Sequence, residues 1–227
     1  GKGDNIRGYG VAAGEKTAEP EVAILGSGSD YTVFFNHIGI PSVDMLFDGP
    51  YGVYHSAYDT HEWMRRHGDP GFAYHAAMAR LWGVMALRLA NADAMPFDFA
   101  TYGRDLIAYI DDLSAVAKGR NVAVDLGGAR AQAGRLAALP PPAPGSGADS
   151  AEALRLAERD FPAPDGIPGR PWFRHLVYAP LPSYAAETLP GVREAVMDGD
   201  AARAARQADA LADALRRAAD RLRAPTP

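Results

Sequence analysis

Near the beginning of the chain, apolar and polar positions alternate as short runs separated by turn residues. Residues 21–25 form an apolar run that ends at the Gly-Ser-Gly-Ser sequence of residues 26–29, which predicts a buried strand followed by a tight turn. A short helix is predicted over residues 31–38, where Gly39 ends it, and residues 42–47 predict a second strand. This order of strand, turn, helix and strand is typical of the edge of an α/β sheet.

A longer helix is predicted next. Asp69 and Pro70 are residue types that cap and begin helices, and the helical pattern extends to about Asn91. Because its apolar residues lie nearly all round the helix, we expect this helix to be buried. These residues are Phe72, Met78, Leu81, Trp82, Met85, Leu87 and Leu89.

From Phe97 onward the pattern is that of helices alone. Apolar residues recur at steps of three and four from Phe99 to Val116 and again from Ala204 to Leu222, which predicts two long amphipathic helices. Segments rich in proline and glycine at residues 139–147 and 161–171 predict loops between them. The two apolar stripes exceed what one small bundle can bury, so we expect a homodimer in which the helical part supplies shared surface.

These patterns divide the chain into three parts. Residues 1–20 are rich in glycine and charge and are interpreted as a linker. Residues 21–95 are predicted to be the C-terminal portion of an α/β domain, and residues 96–227 an all-α helical bundle. We expect the chain to be an excerpt of a longer protein.

Composition narrows the class of protein. The 227 residues are 48% hydrophobic, which is enough for a sizeable core, and the formal net charge is −5. Scattered basic residues and a net negative charge argue against a nucleic-acid partner. No run approaches the roughly 20 apolar residues that span a bilayer, so no membrane segment is expected in this chain. The absence of cysteine excludes disulfides and thiolate metal ligands.

One histidine stands out as a candidate for chemistry. His55 follows Tyr54 in a loop that leaves the second predicted strand, and ligand sites of α/β sheets gather at such strand ends. An imidazole there can ligate a metal, but a lone loop histidine is more often an exposed or locally hydrogen-bonded side chain. A zinc site needs three or four ligands, and no motif in this chain completes one. His175, in contrast, is interpreted as a packing or hydrogen-bonding residue.

Three sequence stretches together resemble one family. They are Leu25-Gly-Ser-Gly-Ser-Asp-Tyr-Thr-Val-Phe-Phe35 with Gly39-Ile-Pro-Ser42, then Tyr54-His-Ser-Ala-Tyr-Asp-Thr60, and finally Gly169-Arg-Pro-Trp-Phe-Arg-His-Leu-Val-Tyr-Ala-Pro180. In order and spacing they are similar to the two-zinc peptidases of the glutamate carboxypeptidase II and transferrin receptor type. The resemblance implies the end of an aminopeptidase-like α/β domain followed by a helical dimerisation domain.

The resemblance also implies roles for individual residues. His55 would ligate one of two zinc ions, and the Tyr54 hydroxyl would contact the tetrahedral intermediate. Gly28, Ser29 and Tyr184 would line the site for a peptide substrate. The remaining zinc ligands and the glutamate base would lie upstream of this chain, which alone would be inactive. The family is mainly exported or extracellular, so a periplasmic or extracellular location is expected.

Two departures from the family pattern concern substrate specificity. Val43 to Leu46 stand where arginines give the glutamate-specific enzyme its preference, and Ser183 stands where a lysine precedes the tyrosine. The resemblance therefore implies neutral or hydrophobic substrates instead of acidic ones.

A non-enzymatic binding or dimerisation module, similar to the transferrin receptor, is the alternative function. Upstream sequence with or without the other zinc ligands would discriminate between the two.

Overall fold

The computed structural model describes residues 24–47, 51–93, 95–140, 147–181 and 183–223. The predicted linker at residues 1–20 lies outside these ranges. The described residues form two compact units, one of residues 45–92 and another that joins residues 24–44 to residues 93–223. The predicted domain boundary at residues 95/96 concerns a longer protein and stays a prediction.

The first unit contains two helices and a π-helical turn. They are α1 (His61–Trp63), the π-helical turn Met64–Gly68, and α2 (Ala73–Ala90). The Thr60 hydroxyl caps α1 by accepting a hydrogen bond from the Trp63 amide at 3.2 Å. The Asp69 carboxylate accepts hydrogen bonds from the backbone N–H and the Nδ1 of His75. These bonds tie the segment that precedes α2 to the first turn of that helix.

The predicted burial of the α2 helix is wrong for this chain. No residue of α2 is buried, and Leu81, Val84 and Leu87 are among its exposed apolar side chains. Apolar residues on all faces can be buried only if other elements surround the helix. Among its described residues, the first unit contains only one other short helical segment besides α2. This segment cannot surround the helix.

The second unit is built from helices and one small hairpin. Its helices are α3 (Phe99–Gly119), α4 (Gly127–Ala137), α5 (Gly147–Ala157), α6 (Pro190–Met197) and α7 (Ala201–Arg223). Its strands are β1 (Tyr178–Pro180) and β2 (Ala186–Thr188), which pair antiparallel with Ala179 opposite Glu187. No helix in the described part of the chain is both long and apolar enough to cross a membrane.

Both predicted amphipathic helices are present, as α3 and α7, and α4 packs against each of them. Leu106, Ile110 and Leu113 of α3 are buried, as are Leu211 and Leu215 of α7. The stripes therefore find their partners within this unit. The argument that surplus apolar stripes require a second subunit is thus wrong, although the expectation of a dimer has separate support from the comparisons below.

The α/β sheet expected near the beginning does not appear in the described residues. Ile24, Leu25 and residues 41–47 form no strand, and the remaining residues of the first predicted strand lie outside the description. A strand requires a neighbour that satisfies its backbone hydrogen bonds, and the described part of the chain offers none here. The predicted helix is present, because residues 31–38 are helical, with a π-helix over Val33–Ile38. Gly39 ends it at φ 74°, a left-handed conformation that favours glycine.

This short helix is anchored to the bundle by buried polar contacts. Asn36 is fully buried, and its Nδ2 donates to the Tyr178 carbonyl at 3.2 Å. The backbone N–H groups of Arg174 and His175 in turn donate to the Asn36 carbonyl. Residues 24–44 are therefore part of the helical unit in this chain.

His175 is a buried hydrogen-bonding residue, as the sequence predicts. Its Nδ1 accepts the backbone N–H groups of Val177 and Tyr178, so Nε2 carries the proton and donates to Glu158 at 2.9 Å. The ring is completely inaccessible to solvent. This network fixes the segment that leads into β1.

Candidate functional site

Tyr54 and His55 lie together on an exposed turn of the first unit. His55 has a φ of 57°, a left-handed conformation that is uncommon for a residue with a side chain. The Ser56 hydroxyl braces the turn by donating to the Val53 carbonyl at 2.7 Å and accepting the Tyr58 amide at 3.2 Å. On this turn the Tyr54 and His55 rings stack with their centroids 3.8 Å apart.

Both rings are accessible to a ligand. Tyr54 is 63% exposed, and His55 is also exposed. An exposed imidazole can supply one nitrogen to a metal ion, which fits the zinc role that the sequence resemblance implies. Among the described residues, no group of three or more His, Cys, Asp or Glu side chains could hold a metal ion.

Tyr184 lies at the turn of the β1–β2 hairpin in the second unit. The Leu181 amide donates to the Ala185 carbonyl at 2.7 Å, and the Tyr184 amide donates to the Leu181 carbonyl at 3.0 Å. Tyr184 has a φ of 69° and is 57% exposed. The hairpin therefore presents this aromatic side chain outward on a strained backbone.

The glycine-rich turn packs directly against Tyr184. The Ser27 amide donates to the Tyr184 carbonyl at 3.0 Å. A Cβ atom at Gly26 would lie 2.0 Å from that carbonyl oxygen, so only glycine permits this approach. A Cβ atom at Gly28 would lie 3.3 Å from the Tyr184 ring. The neighbouring Ser29 is exposed, and its carbonyl accepts the Thr32 amide and hydroxyl.

Among the five predicted site residues, the structure brings two pairs together. Gly28 lies against the Tyr184 ring in the second unit, with Ser29 next to Gly28 in sequence, and Tyr54 stacks on His55 in the first unit. That all five line one substrate site stays a prediction.

Tyr184 also lines a pocket with charged walls that the sequence did not indicate. It has a volume of about 530 Å³. Its lining consists of Ser27, Arg170, Phe173, Pro180, Leu181, Tyr184, Glu187 and Glu194. Arg170, Glu187 and Glu194, which we call the Arg170 cluster, are the charged members of this lining.

The Arg170 guanidinium is the centre of this cluster. It donates to the Pro180 carbonyl, to Glu187 at 3.2 Å and to Glu194, and it lies 5.3 Å from the centroid of the Phe173 ring. Burial raises the pKa of Glu187 to about 7, and the adjacent Glu194 carboxylate adds to this effect, while Arg170 opposes it. Glu187 is therefore a carboxyl group that titrates near neutral pH.

Sequence position gave one clue to this cluster. Arg170 belongs to the Arg-Pro-Trp-Phe-Arg stretch, and Glu187 precedes the Leu-Pro-Gly sequence that begins at Leu189. Both segments carry the family resemblance, so their charged residues could have been flagged as candidates.

Comparisons with known proteins agree with the motifs. Residues 149–223 match the family model of the transferrin receptor-like dimerisation domain. A probable glutamate carboxypeptidase of Arabidopsis thaliana is 38% identical over 184 residues, which cover 75% of this chain and 26% of that protein. A probable glutamate carboxypeptidase of Arthroderma benhamiae is 35% identical over 216 residues, covering 86% of this chain and 30% of that protein.

A relative named as an aminopeptidase is similar over nearly the same share of the chain. Aminopeptidase NAALADL1 of Rattus norvegicus is 30% identical over 199 residues, covering 78% of this chain and 27% of that protein. The chain spans between a quarter and a third of the length of these relatives. It therefore carries a transferrin receptor-like dimerisation domain and is similar to the C-terminal part of the glutamate carboxypeptidase-like peptidases, as its motifs predict.

Proposed function

We propose that this chain is the C-terminal portion of a zinc-dependent exopeptidase that hydrolyses peptides or dipeptides. The observation that carries the proposal is the exposed Tyr54–His55 pair, held on a left-handed turn with its rings stacked. A strained, exposed turn that presents an imidazole and a phenol together suits a site that binds a ligand. Relatives named carboxypeptidases and an aminopeptidase support the same class.

Each side chain then has a chemical task. His55 supplies one zinc ligand, and the Tyr54 hydroxyl donates a hydrogen bond to the oxygen that becomes negative when the peptide carbonyl is attacked. Gly28 and Ser29 line the substrate site, and the Tyr184 hydroxyl donates to the terminal carboxylate of the peptide. Two zinc ions, when bound, supply the Lewis acidity that activates water for the attack. Their other ligands belong to the longer protein.

The domain organisation follows from the same proposal. In the longer protein, residues 21–95 would complete an aminopeptidase-like α/β domain and residues 96–227 would form the dimerisation domain, although residues 24–44 belong to the helical unit in this chain. The match of residues 149–223 to a dimerisation family supports a homodimer. The exposed α2 helix is consistent with an α/β domain of which this chain holds only a part. The family resemblance supports an exported location.

The test is His55→Ala in the full-length protein. Because an imidazole ligand is lost, we expect zinc content to fall by about one ion per subunit and peptide hydrolysis to fall by at least about a hundredfold. His67→Ala is the matched control, since His67 is also an exposed histidine of the first unit. Zinc content is measured by elemental analysis of the dialysed protein, and hydrolysis by release of amino acids from dipeptides.

Two outcomes would contradict the proposal. Equal activity of His55→Ala and His67→Ala would remove His55 from the site. A full-length wild-type protein that binds no zinc and cleaves no peptide would favour the alternative of a non-enzymatic, transferrin receptor-like binding or dimerisation module.

A further inference from the structure

The Arg170 cluster contacts the β1–β2 hairpin close to the turn that carries Tyr184. Pro180 is the last residue of β1, Glu187 is the middle residue of β2, and Glu194 lies in α6. One guanidinium therefore bonds both strands of the hairpin and the following helix. Tyr184 lies between the two strand contacts along the chain.

We infer that Arg170 is a positioning residue, which holds the β1–β2 hairpin in the conformation that presents Tyr184 and thereby sets substrate affinity. The inference rests on the proposed function, because it assumes that Tyr184 binds the terminal carboxylate of a peptide. In this role Arg170 acts through the hairpin and not on the substrate, because its three hydrogen bonds all go to acceptors of its own chain.

The hairpin needs such a support. Each of its strands has only three residues, and a two-stranded hairpin of this size has little stability of its own. The left-handed backbone of Tyr184 adds strain that the surroundings must offset. The Ser27–Tyr184 hydrogen bond supports one side of the turn, and the Arg170 cluster supports the strands beside it.

Arginine is well suited to this task. Its planar guanidinium can donate in several fixed directions at once, whereas an ammonium group is a point charge. Side chains of the cluster are largely shielded, with Arg170 23% exposed and Glu187 10% exposed, so the hydrogen bonds are stronger than on an open surface. Arg193 of α6 also faces this region, but it is bonded to the Thr188 carbonyl and to Asp112 of α3.

The experiment compares Arg170→Met and Arg170→Lys with wild type in the full-length protein. For a dipeptide substrate, we expect Arg170→Met to raise KM about tenfold while kcat changes less than twofold. Arg170→Lys should give an intermediate KM, because lysine keeps the charge but cannot reach all three acceptors. Arg155→Met is the control, since Arg155 forms an exposed pair with Glu152 of its own helix.

A double-mutant cycle separates positioning from general damage to the fold. If Arg170 acts through Tyr184, Arg170→Met should not raise KM further when Tyr184 is already replaced by alanine. Equal KM increases in both backgrounds would overturn the inference. An unchanged KM in Arg170→Met would overturn it as well. If Arg170→Met does not fold, the cycle is made with Arg170→Lys.

A readout that is independent of activity distinguishes this inference from the proposed function. Hydrogen–deuterium exchange of the amides of Tyr184 and Leu181 should be at least tenfold faster in Arg170→Met than in wild type or Arg155→Met. An inactive wild-type protein would refute the proposed function and, with it, the role in substrate affinity. Unchanged exchange would show that Arg170 does not hold the hairpin at all.

Discussion

Replacing Glu187 by glutamine should change how the stability of the helical unit depends on pH. Glu187 is 10% exposed, and its pKa is raised from 4.5 to about 7 by burial and by Glu194. Between these two values the folded protein binds more protons at Glu187 than the unfolded protein does. The free energy of unfolding of the wild type therefore falls as the pH rises through this window.

The size of the effect follows from the pKa values. A shift from 4.5 to about 7 corresponds to roughly 3 kcal/mol, which is lost between pH 4.5 and pH 8 in the wild type. Glutamine has no proton to lose and resembles the protonated acid. Glu187→Gln should therefore match the wild type near pH 4.5 and exceed its free energy of unfolding by up to roughly 3 kcal/mol at pH 8.

Urea unfolding at half-unit steps from pH 4.5 to 8 measures this difference. Far-ultraviolet circular dichroism is a suitable probe, because most of the described helices belong to the helical unit. Glu152→Gln is the control, because Glu152 is an exposed carboxylate paired with Arg155. Parallel profiles for Glu187→Gln and wild type would refute the reasoning, as would a variant that loses stability relative to wild type as the pH rises.

Two further substitutions test the buried contacts. His175→Ala removes a fully buried ring that donates a hydrogen bond to Glu158, so the free energy of unfolding should fall by about 3 to 5 kcal/mol. The control His67→Ala removes an exposed ring and should change the free energy of unfolding by less than about 0.5 kcal/mol. Equal urea midpoints for the two variants would contradict a stabilising role of the His175 network. Gly26→Ala places a methyl group 2.0 Å from the Tyr184 carbonyl oxygen and should break the hydrogen bond that this oxygen accepts. Amide exchange should report that loss as faster exchange at residue 27, and unchanged protection would show that the turn adapts.

Local sequence determined the two long helices of the second unit. The spacing of apolar residues from Phe99 to Val116 and from Ala204 to Leu222 gave α3 and α7, because side chains three or four residues apart share a helix face. The terminating role of Gly39 was also readable, since a left-handed residue after a helix favours glycine. The motif of residues 54–60 identified the candidate turn and the family that it resembles.

The sequence predicted burial only in part. An apolar pattern shows that a helix such as α2 can be buried, but not whether the chain contains the elements that would cover it. The same limit applies to the strand expected at residues 42–47, because a strand exists only with a neighbour to bond. For α3 and α7 the expected partner was a second subunit, whereas α4 of the same chain packs against both.

Only the tertiary structure decided which distant residues meet. Asn36 bonds Tyr178 across 142 positions of sequence, and Arg170 bonds Glu194 across 24. Residue spacing encodes contacts within one helix or strand, where the backbone geometry is regular, but carries no such rule across connections between elements. The sequence by itself therefore determined the two long helices, the candidate residues and the family they point to. Packing alone placed Gly28 against Tyr184 and gathered one arginine and two glutamates in the pocket that Tyr184 lines, because those contacts depend on how separate elements fold together.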